Sequence, residues 1–362
     1  INYMALKKDL DDNGSKVDHG YIYIAGHITM NGNFEKKIID KAGYKNRLFT
    51  WAYLGGVSHK LDSVFKYWVK RKKTDPEIQI FMDSGAFTFG GKISEYDNEA
   101  YDAKLDEYIK FVKKYKNGID HYMALDHIWS VDKSIEYYDK MLSEGLDPVP
   151  VYHLGEPYEI LEYYAENSDY IAIALRGAKQ AHQYAMLQKI FNDYPNKKFH
   201  ALAVNGLTKI FLDFPFYSCD SSSWCKYALE GFLPLPPGLN KYNKVFLAPP
   251  TQVCTNEDEN SEIIEGFGKH KKKKYFIRRQ PCFIDLPKYE QDRIKEWLKN
   301  DLQMPYESLM GKTGMETGIK YYENRGIAYL MALKIEMDTK LSKRVNEVPV
   351  IQDYLFDTNI ED

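Results

Sequence analysis

Short apolar runs rich in β-branched and aromatic residues recur along the chain as far as Asp220, and segments of helical periodicity lie between them. In residues 97–115 and 132–143, for example, apolar side chains return every three or four positions, which is typical of helices that bury one face. Most of the short runs are apolar on both faces, as in strands covered by two layers. The pattern predicts eight strands, at Tyr21–Ala25, Arg47–Tyr53, Ile78–Met82, His121–Leu125, Val149–Tyr152, Tyr170–Leu175, Phe199–Val204 and Phe216–Cys219.

Strands that alternate with helices in this way predict a parallel (β/α)8 TIM barrel, an α/β fold. A doubly wound sheet is the alternative. After Asp220 the alternation stops, and a proline-rich connection at 233–238 precedes helical patterns at 286–302 and 318–341. We therefore predict a catalytic barrel over residues 1–225 and a C-terminal extension, residues 226–362, of helical and irregular structure packed on the barrel.

The charge balance argues against a chain that coats nucleic acid over its whole surface. The 362 residues include 49 basic and 52 acidic side chains, which leaves a net charge of -3. No run of about 20 apolar residues offers a membrane span, and the first residues lack the pattern of a signal peptide. We expect a cytoplasmic protein with no membrane partner, in which the four cysteines are free thiols.

Polar residues follow directly after several predicted strands, at positions that meet on the one open face of a (β/α)8 barrel. Asp83, Asp126 and Asp220 each come immediately after an apolar run. We expect these three carboxylates to converge on one pocket, the alternative for each being the N-cap of the next helix. The other polar strand ends carry Ser84, Gly85, His153, Arg176, Gly177 and Asn205.

Several carboxylates in one pocket favour glycosyl chemistry. One ionised oxygen can attack a sugar carbon while a second carboxyl group, with a pKa shifted by burial, moves protons. No Gly-x-Gly-x-x-Gly follows a strand, and neither a Walker loop nor His-Glu-x-x-His is present. We therefore expect no cofactor.

These motifs resemble those of the tRNA-guanine transglycosylase superfamily. Residues 81–87 are similar to its Asp-Ser-Gly-Gly-Phe signature, with Ala86 replacing the second glycine. Leu125-Asp126, Leu175-Arg176-Gly177 and Cys219-Asp220 fall where the family has a purine-reading aspartate, a base-contacting strand end and a nucleophilic aspartate. Order and spacing agree over about residues 20–225. The Asp-Ser-Ser-Ser-Trp stretch that begins at Asp220 most resembles the phage-encoded DpdA-type branch, which inserts 7-deazaguanines into DNA.

The resemblance implies a base exchange, in which Asp220 attacks C1′ of the sugar, guanine departs, and a 7-deazaguanine such as preQ0 captures the covalent intermediate. Asp83 would carry the proton of the leaving and entering purines, and Asp126 would accept N–H groups of the purine edge. DNA is favoured over tRNA as the partner, and a phage-infected bacterial host is the implied setting. The implied base site comprises Ser84, Gly85, Phe87, Asp126, His153, Arg176, Gly177 and Asn205.

One departure weighs against tRNA as the substrate. The tRNA branch carries a Cys-x-Cys-x-x-Cys zinc site with a downstream histidine after its nucleophile. Here Cys225, Cys254, Cys282 and His270 stand in that part of the chain, and none is paired at ligand spacing. We expect no metal.

A basic run over residues 269–279 carries seven formal positive charges interleaved with two aromatic residues. Its lysines and arginines are expected to hold phosphates, the alternative being a solvated surface loop. Three other functions stay open: the same exchange on tRNA, a TIM-barrel N-glycoside hydrolase, and a barrel that binds nucleic acid without catalysis. The predicted phosphate contacts are Lys269, Lys271, Lys272, Lys273, Lys274, Arg278 and Arg279.

Overall fold

The computed structural model contains eight parallel strands arranged in one ring. It describes residues 9–10, 16–17, 20–26, 38–54, 59–90, 97–175, 180–205, 208–236, 238–239, 244–247, 261–265, 274–278, 283, 286–309 and 318–346. An antiparallel pair, β1 (Asp9–Leu10) and β2 (Lys16–Val17), precedes the ring. The ring strands are β3 (Tyr21–Ile24), β4 (Asn46–Thr50), β5 (Gln79–Asp83), β6 (His121–Tyr122), β7 (Val151–His153), β8 (Tyr170–Ala174), β9 (Lys198–Leu202) and β10 (Ser218–Ser221).

The ring is closed on itself. Its strand order is β6-β5-β4-β3-β10-β9-β8-β7, and a parallel bridge between Met123 and Val149 joins the two outer strands. The Ala124 N–H donates to the Val149 carbonyl at 2.8 Å, and the Val149 N–H donates to the Tyr122 carbonyl at 2.8 Å. The predicted (β/α)8 barrel is therefore confirmed, with all eight strands at the expected places.

Helices follow the strands and cover the outside of the ring. The Asp97 side chain caps the helix that begins at Asn98, and Ser130 caps the one that begins at Val131. The barrel helices are α1 (His59–Lys72), α2 (Ala86–Gly90), α3 (Asn98–Tyr115), α4 (Val131–Ser143), α5 (Tyr158–Asn167), α6 (Gln180–Asp193), α7 (Lys209–Asp213) and α8 (Ser223–Glu230).

The bounds of the strands differ from the predicted ones by up to three residues, and two of these differences, in β4 and β10, affect the site. β4 stops at Thr50, and residues 51–53 form a 3₁₀ turn in which the Leu54 N–H donates to the Trp51 carbonyl at 2.7 Å. β10 runs on to Ser221, so Asp220 lies within the strand, where it pairs with Tyr23 of β3.

The register decides which side chains fill the barrel. Side chains alternate across a strand, so Ser218 and Asp220 point to the same side, and their pairing with Tyr21 and Tyr23 puts all four inside. Buried hydrophobic side chains, Tyr23 among them, fill the interior of the barrel. They are Tyr23, Ala25, Leu48, Phe81, Met123, Val149, Val151, Tyr170, Ala172 and Ala174.

Beyond the barrel, a long helix joins two hydrophobic clusters. This helix, α10 (Gly318–Asn346), contributes Leu330 and Leu333 to the main core, and Ala328 and Ala332 to a second core that contains Trp297. Helix α8 spans the predicted boundary at residue 225 and ends at a glycine, Gly231, in the left-handed conformation. The other elements are β11 (Phe232–Pro234), β12 (Lys244–Phe246), β13 (Ser261–Glu265), β14 (Lys274–Arg278) and α9 (Lys288–Asn300).

None of the helices in the described part of the chain combines the length and the hydrophobicity that a bilayer crossing requires.

Candidate active site

Asp220 lies inside the barrel near the C-terminal ends of the strands, and only 6% of its surface is exposed. Its Oδ1 accepts two hydrogen bonds, from the Ala203 N–H at 2.6 Å and from His200 Nε2 at 3.2 Å. Ala203 adopts a left-handed conformation (φ +56°), which costs an alanine about 1–2 kcal/mol. Because this turn aims the Ala203 N–H at Oδ1, the local strain is coupled to the placement of the carboxylate. Both hydrogen bonds from the described residues go to Oδ1, so none of these residues donates to Oδ2.

Asp83 ends strand β5 and is held by both of its oxygens. Thr50 Oγ1 donates to Oδ2 at 3.0 Å, and the Gly85 N–H donates to Oδ1 at 3.0 Å. Burial raises the pKa of Asp83 from 3.8 to about 6; the bonds from Gly85 and Thr50 oppose this rise, and the charges of Asp220 and Asp126 add to it. A carboxyl group with this pKa can release and bind a proton near neutral pH.

Gly85 occupies a position that only glycine fits. Its φ is +76°, and a Cβ at this position would lie 2.5 Å from Ala52 Cβ and 2.7 Å from Thr50 Cγ2. The tight turn brings the Gly85 N–H onto Asp83 and lets helix α2 start directly after the strand.

A second acidic group lies at the ends of β6 and β7. Asp126 Oδ2 is 3.1 Å from His153 Nε2, and the His153 N–H donates to Glu156 Oε2 at 3.1 Å. Burial lowers the pKa of His153, but the hydrogen bond and charge of Asp126 and the charge of Glu156 outweigh it, so the pKa of His153 is raised. Burial raises the pKa of Glu156. This group therefore presents carboxylate oxygens beside a histidine that binds protons more readily than usual.

The structure brings Asp83, Asp126 and Asp220 to the same end of the barrel, near enough for the charges of the other two to raise the pKa of Asp83. The N-cap alternative is wrong for Asp126 and Asp220. The Asp126 side chain pairs with His153, and Asp220 bonds to the neighbouring strand β9 and its turn. Helix α4 is capped by Ser130, and Ser222 is the N-cap residue of α8.

Other predicted site residues have mixed surroundings. Ser84 is buried, and its Oγ accepts from the Ala86 N–H at 3.3 Å, which is a contact of the turn itself. Phe87 is 71% exposed. Asn205 Nδ2 donates to Tyr329 OH of α10 at 2.9 Å, so this side chain ties the barrel mouth to the C-terminal helix. Arg176 and Gly177 lie outside the described residues.

The basic run lies mostly outside the described residues, since only 274–278 belong to them. This segment is strand β14, and its backbone pairs antiparallel with β13, Lys274 opposite Glu265 and Arg278 opposite Ser261. Five of the eleven residues of the run thus form a strand, whereas the alternative expected a loop, and the predicted phosphate contacts stay a prediction. The positions outside the described residues are Lys269, Lys271, Lys272, Lys273 and Arg279.

The metal prediction stays open on the same ground. Cys225 is a half-buried thiol, whereas Cys254, Cys282 and His270 lie outside the described residues. Within the described ranges, no group of three His, Cys, Asp or Glu side chains is arranged to hold a metal.

Several residues that hold the carboxylates were not predicted from the sequence, above all Thr50, Ala203 and His200. Each stands in or directly after an apolar strand, where it looks like part of the core. The signal for His200 was a single polar residue inside an apolar run, at a position that faces the barrel interior.

Comparisons with known proteins give distant likenesses in fold. A chain of the tryptophan synthase α2β2 complex from Pyrococcus furiosus has a TM-score of 0.40 and 13% identity, over 59% of this chain and 90% of that chain. A protein from Aquifex aeolicus VF5 has a TM-score of 0.38 and 14% identity, over 58% of this chain and 85% of that chain. No protein-family model and no curated protein matches the chain. These likenesses indicate no reaction, and membership of the transglycosylase superfamily stays a prediction from the motifs.

Proposed function

We propose that this chain is a base-exchange transglycosylase that replaces guanine in nucleic acid, with DNA favoured, by a 7-deazaguanine base. The observation that carries the proposal is the pairing of two carboxyl groups at the barrel mouth. The hydrogen bonds that the described residues donate to Asp220 both go to Oδ1, and Asp83 nearby has a pKa of about 6. One group is therefore suited to attack a sugar carbon and the other to move protons.

The first half of the reaction removes guanine. Asp220 Oδ2 forms a bond to C1′ of the sugar, the C1′–N9 bond breaks, and its electron pair goes to the departing base. Protonated Asp83 supplies the proton that the free guanine needs. The product is a glycosyl ester of Asp220 with inverted configuration at C1′.

The second half installs the new base. Ionised Asp83 takes the proton from N9 of the incoming 7-deazaguanine, N9 bonds to C1′, and the C1′–Oδ2 bond breaks to restore the Asp220 carboxylate. Two inversions retain the original configuration, and the proton given to guanine is matched by the proton taken from the new base. The Asp126 oxygen that does not face His153 accepts N–H groups of the purine edge.

Exposed aromatic side chains close in sequence to two of these carboxyl groups support nucleic acid as the substrate. Phe87 follows Asp83 and is 71% exposed, and Trp129 follows Asp126 and is 55% exposed. Exposed flat rings are suited to stacking on bases, and a target base must leave the helical stack to enter the barrel. The preference for DNA over tRNA comes from the motifs and from the lack of paired cysteines.

Guanine release decides between the proposal and its alternatives. DNA and tRNA, each carrying labelled guanine, are incubated with the protein with and without preQ0. Without preQ0 the proposal expects DNA to release at most one guanine per protein molecule, because the covalent intermediate then waits for a base, and with preQ0 it expects many. Release of many guanines per protein molecule without preQ0 would favour the N-glycoside hydrolase. Release from tRNA alone would favour exchange on tRNA, and no release from either would overturn the proposed enzyme.

A further inference from the structure

A file of polar side chains continues inside the barrel from Asp220 toward the opposite end. His200 Nε2 lies 3.2 Å from Asp220 Oδ1, His200 Nδ1 lies 2.6 Å from Ser218 Oγ, and Ser218 Oγ lies 2.5 Å from Tyr170 OH. His200 and Ser218 are fully buried, and Tyr170 is 7% exposed. Buried polar groups need partners, and here each one is satisfied by the next.

Tyr170, at the far end of the file from Asp220, determines which atom donates in each of its hydrogen bonds. Burial raises the pKa of Tyr170 strongly, so the phenol keeps its proton, and Ser218 is the hydrogen-bond partner that the described residues offer it. Tyr170 therefore donates to Ser218 Oγ. The Ser218 hydroxyl is then left to donate to His200 Nδ1, so Nδ1 carries no proton. The imidazole proton therefore lies on Nε2, which faces Asp220.

Aromatic neighbours hold the imidazole in place. The ring centroid of His200 lies 4.9 Å from that of Phe81 and 6.1 Å from that of Tyr23, both in edge-on contact. The ring is therefore held both by its hydrogen bonds and by packing, and its Nε2–H points at one fixed place.

We infer that His200 is a positioning residue, that Ser218 and Tyr170 set its tautomer, and that Asp220 Oδ2 is the atom that bonds to the sugar. The inference deepens the proposed function and rests on it. Two donors, His200 Nε2–H and Ala203 N–H, hold Oδ1 and fix the rotation of the carboxylate. Oδ2 is then the oxygen directed at substrate.

The tautomer is measured without any substrate, by ¹⁵N NMR of histidine-labelled protein. The signal of His200, one of nine histidines, is identified by its loss in His200→Gln. We expect a bare Nδ1 and a protonated Nε2 in the unmodified protein, and Tyr170→Phe, which removes one oxygen and keeps the ring, makes the Nδ1–H form detectable. An Nδ1–H tautomer in the unmodified protein would overturn the inference.

Kinetics then separate positioning from packing. Charge-assisted hydrogen bonds have the strength to change rates by about 10- to 100-fold, so His200→Leu should lower kcat by that factor with KM unchanged. His200→Gln keeps an N–H donor at the same reach and should restore most of kcat. Equal losses in the two variants, or an unchanged kcat in His200→Leu, would contradict a positioning role. If His200→Leu does not fold, Tyr170→Phe replaces it in the test. An unchanged tautomer ratio in Tyr170→Phe would contradict the claim that Tyr170 and Ser218 set the tautomer of His200.

The two proposals fail in different ways. Suppose that the unmodified protein has the Nε2–H tautomer but exchanges no base on DNA or tRNA. The proposed function then fails, and the assignment of Oδ2 fails with it, but the tautomer of His200 and the donors assigned in the file remain correct. If exchange is observed with the opposite tautomer, the inference alone fails.

Discussion

Replacing Asp83 by asparagine tests the electrostatics of the site through stability alone. The carboxyl group has a pKa of about 6 in the folded protein against an ordinary value of 3.8. The folded state therefore binds this proton more tightly than the unfolded state. The contribution of Asp83 to stability is highest while Asp83 is protonated in both states, falls as the pH rises from about 4 to 6, and is level above that range.

The size of the effect follows from the two pKa values. Their difference of about two units, at 1.36 kcal/mol each, means that ionised Asp83 destabilises the folded protein by about 3 kcal/mol. Asparagine stays neutral and keeps both contacts, because its oxygen accepts from Gly85 N–H and its amide donates to Thr50 Oγ1. Asp83→Asn should therefore have a larger free energy of unfolding than the unmodified protein at pH 8. At pH 4.5 this difference between the two proteins should be smaller by about 2 kcal/mol.

Urea unfolding at pH 4.5 and pH 8 measures this difference. Asp301→Asn, which changes an exposed carboxylate at the end of α9, is the matched control and should leave the pH dependence as it is. The reasoning is refuted if Asp83→Asn and the unmodified protein lose stability in parallel between the two pH values. Base exchange should be lost in Asp83→Asn, because asparagine cannot give or take the proton of the purine. The substitution thus stabilises the fold and removes the activity.

Three other changes test separate parts of the account. Asp220→Asn should lower the exchange rate at least about 1,000-fold with the fold intact, as removal of a nucleophile does, and activity within tenfold would contradict the assignment. Gly85→Ala should lower the free energy of unfolding by about 1–3 kcal/mol more than Gly145→Ala, because both have positive φ but only Gly85 lacks room for a Cβ; equal losses would remove the steric argument. Alanine at all four positions 271–274 should weaken DNA binding for every sequence. The slope of log binding constant against log salt concentration should become shallower by about 0.9 for each duplex phosphate that is no longer bound, and an unchanged slope would mean that the run is a solvated surface.

The fold and the three aspartates were predictable because their signals are local. A buried strand is a short apolar run, and the carboxyl ends of parallel strands meet at one face, so a polar residue at the end of such a run is expected there, as Asp83, Asp126 and Asp220 are. His200 and Ser218 were not predictable in the same way. Each lies inside a strand, and whether it points into the barrel depends on the pairing with neighbouring strands.

The left-handed turn at Ala203 shows the same limit. Alanine seldom adopts a positive φ, so nothing in the residue type announces the turn. The conformation follows from the hydrogen bond that the Ala203 N–H donates to Asp220, a residue 17 positions away along the chain. Contacts of this kind arise only when the barrel closes.

The central claim is a covalent bond between Asp220 and the sugar, and trapping that bond tests it most directly. The protein is mixed with guanine-containing DNA without an incoming base, quenched in denaturant and digested with nuclease and protease, and the peptide that contains Asp220 is analysed by mass spectrometry. The account predicts a deoxyribose adduct on Asp220 in proportion to the guanine released, lost when preQ0 is added before the quench and absent in Asp220→Asn. Guanine release with no adduct on Asp220, or an adduct on another residue, would contradict it.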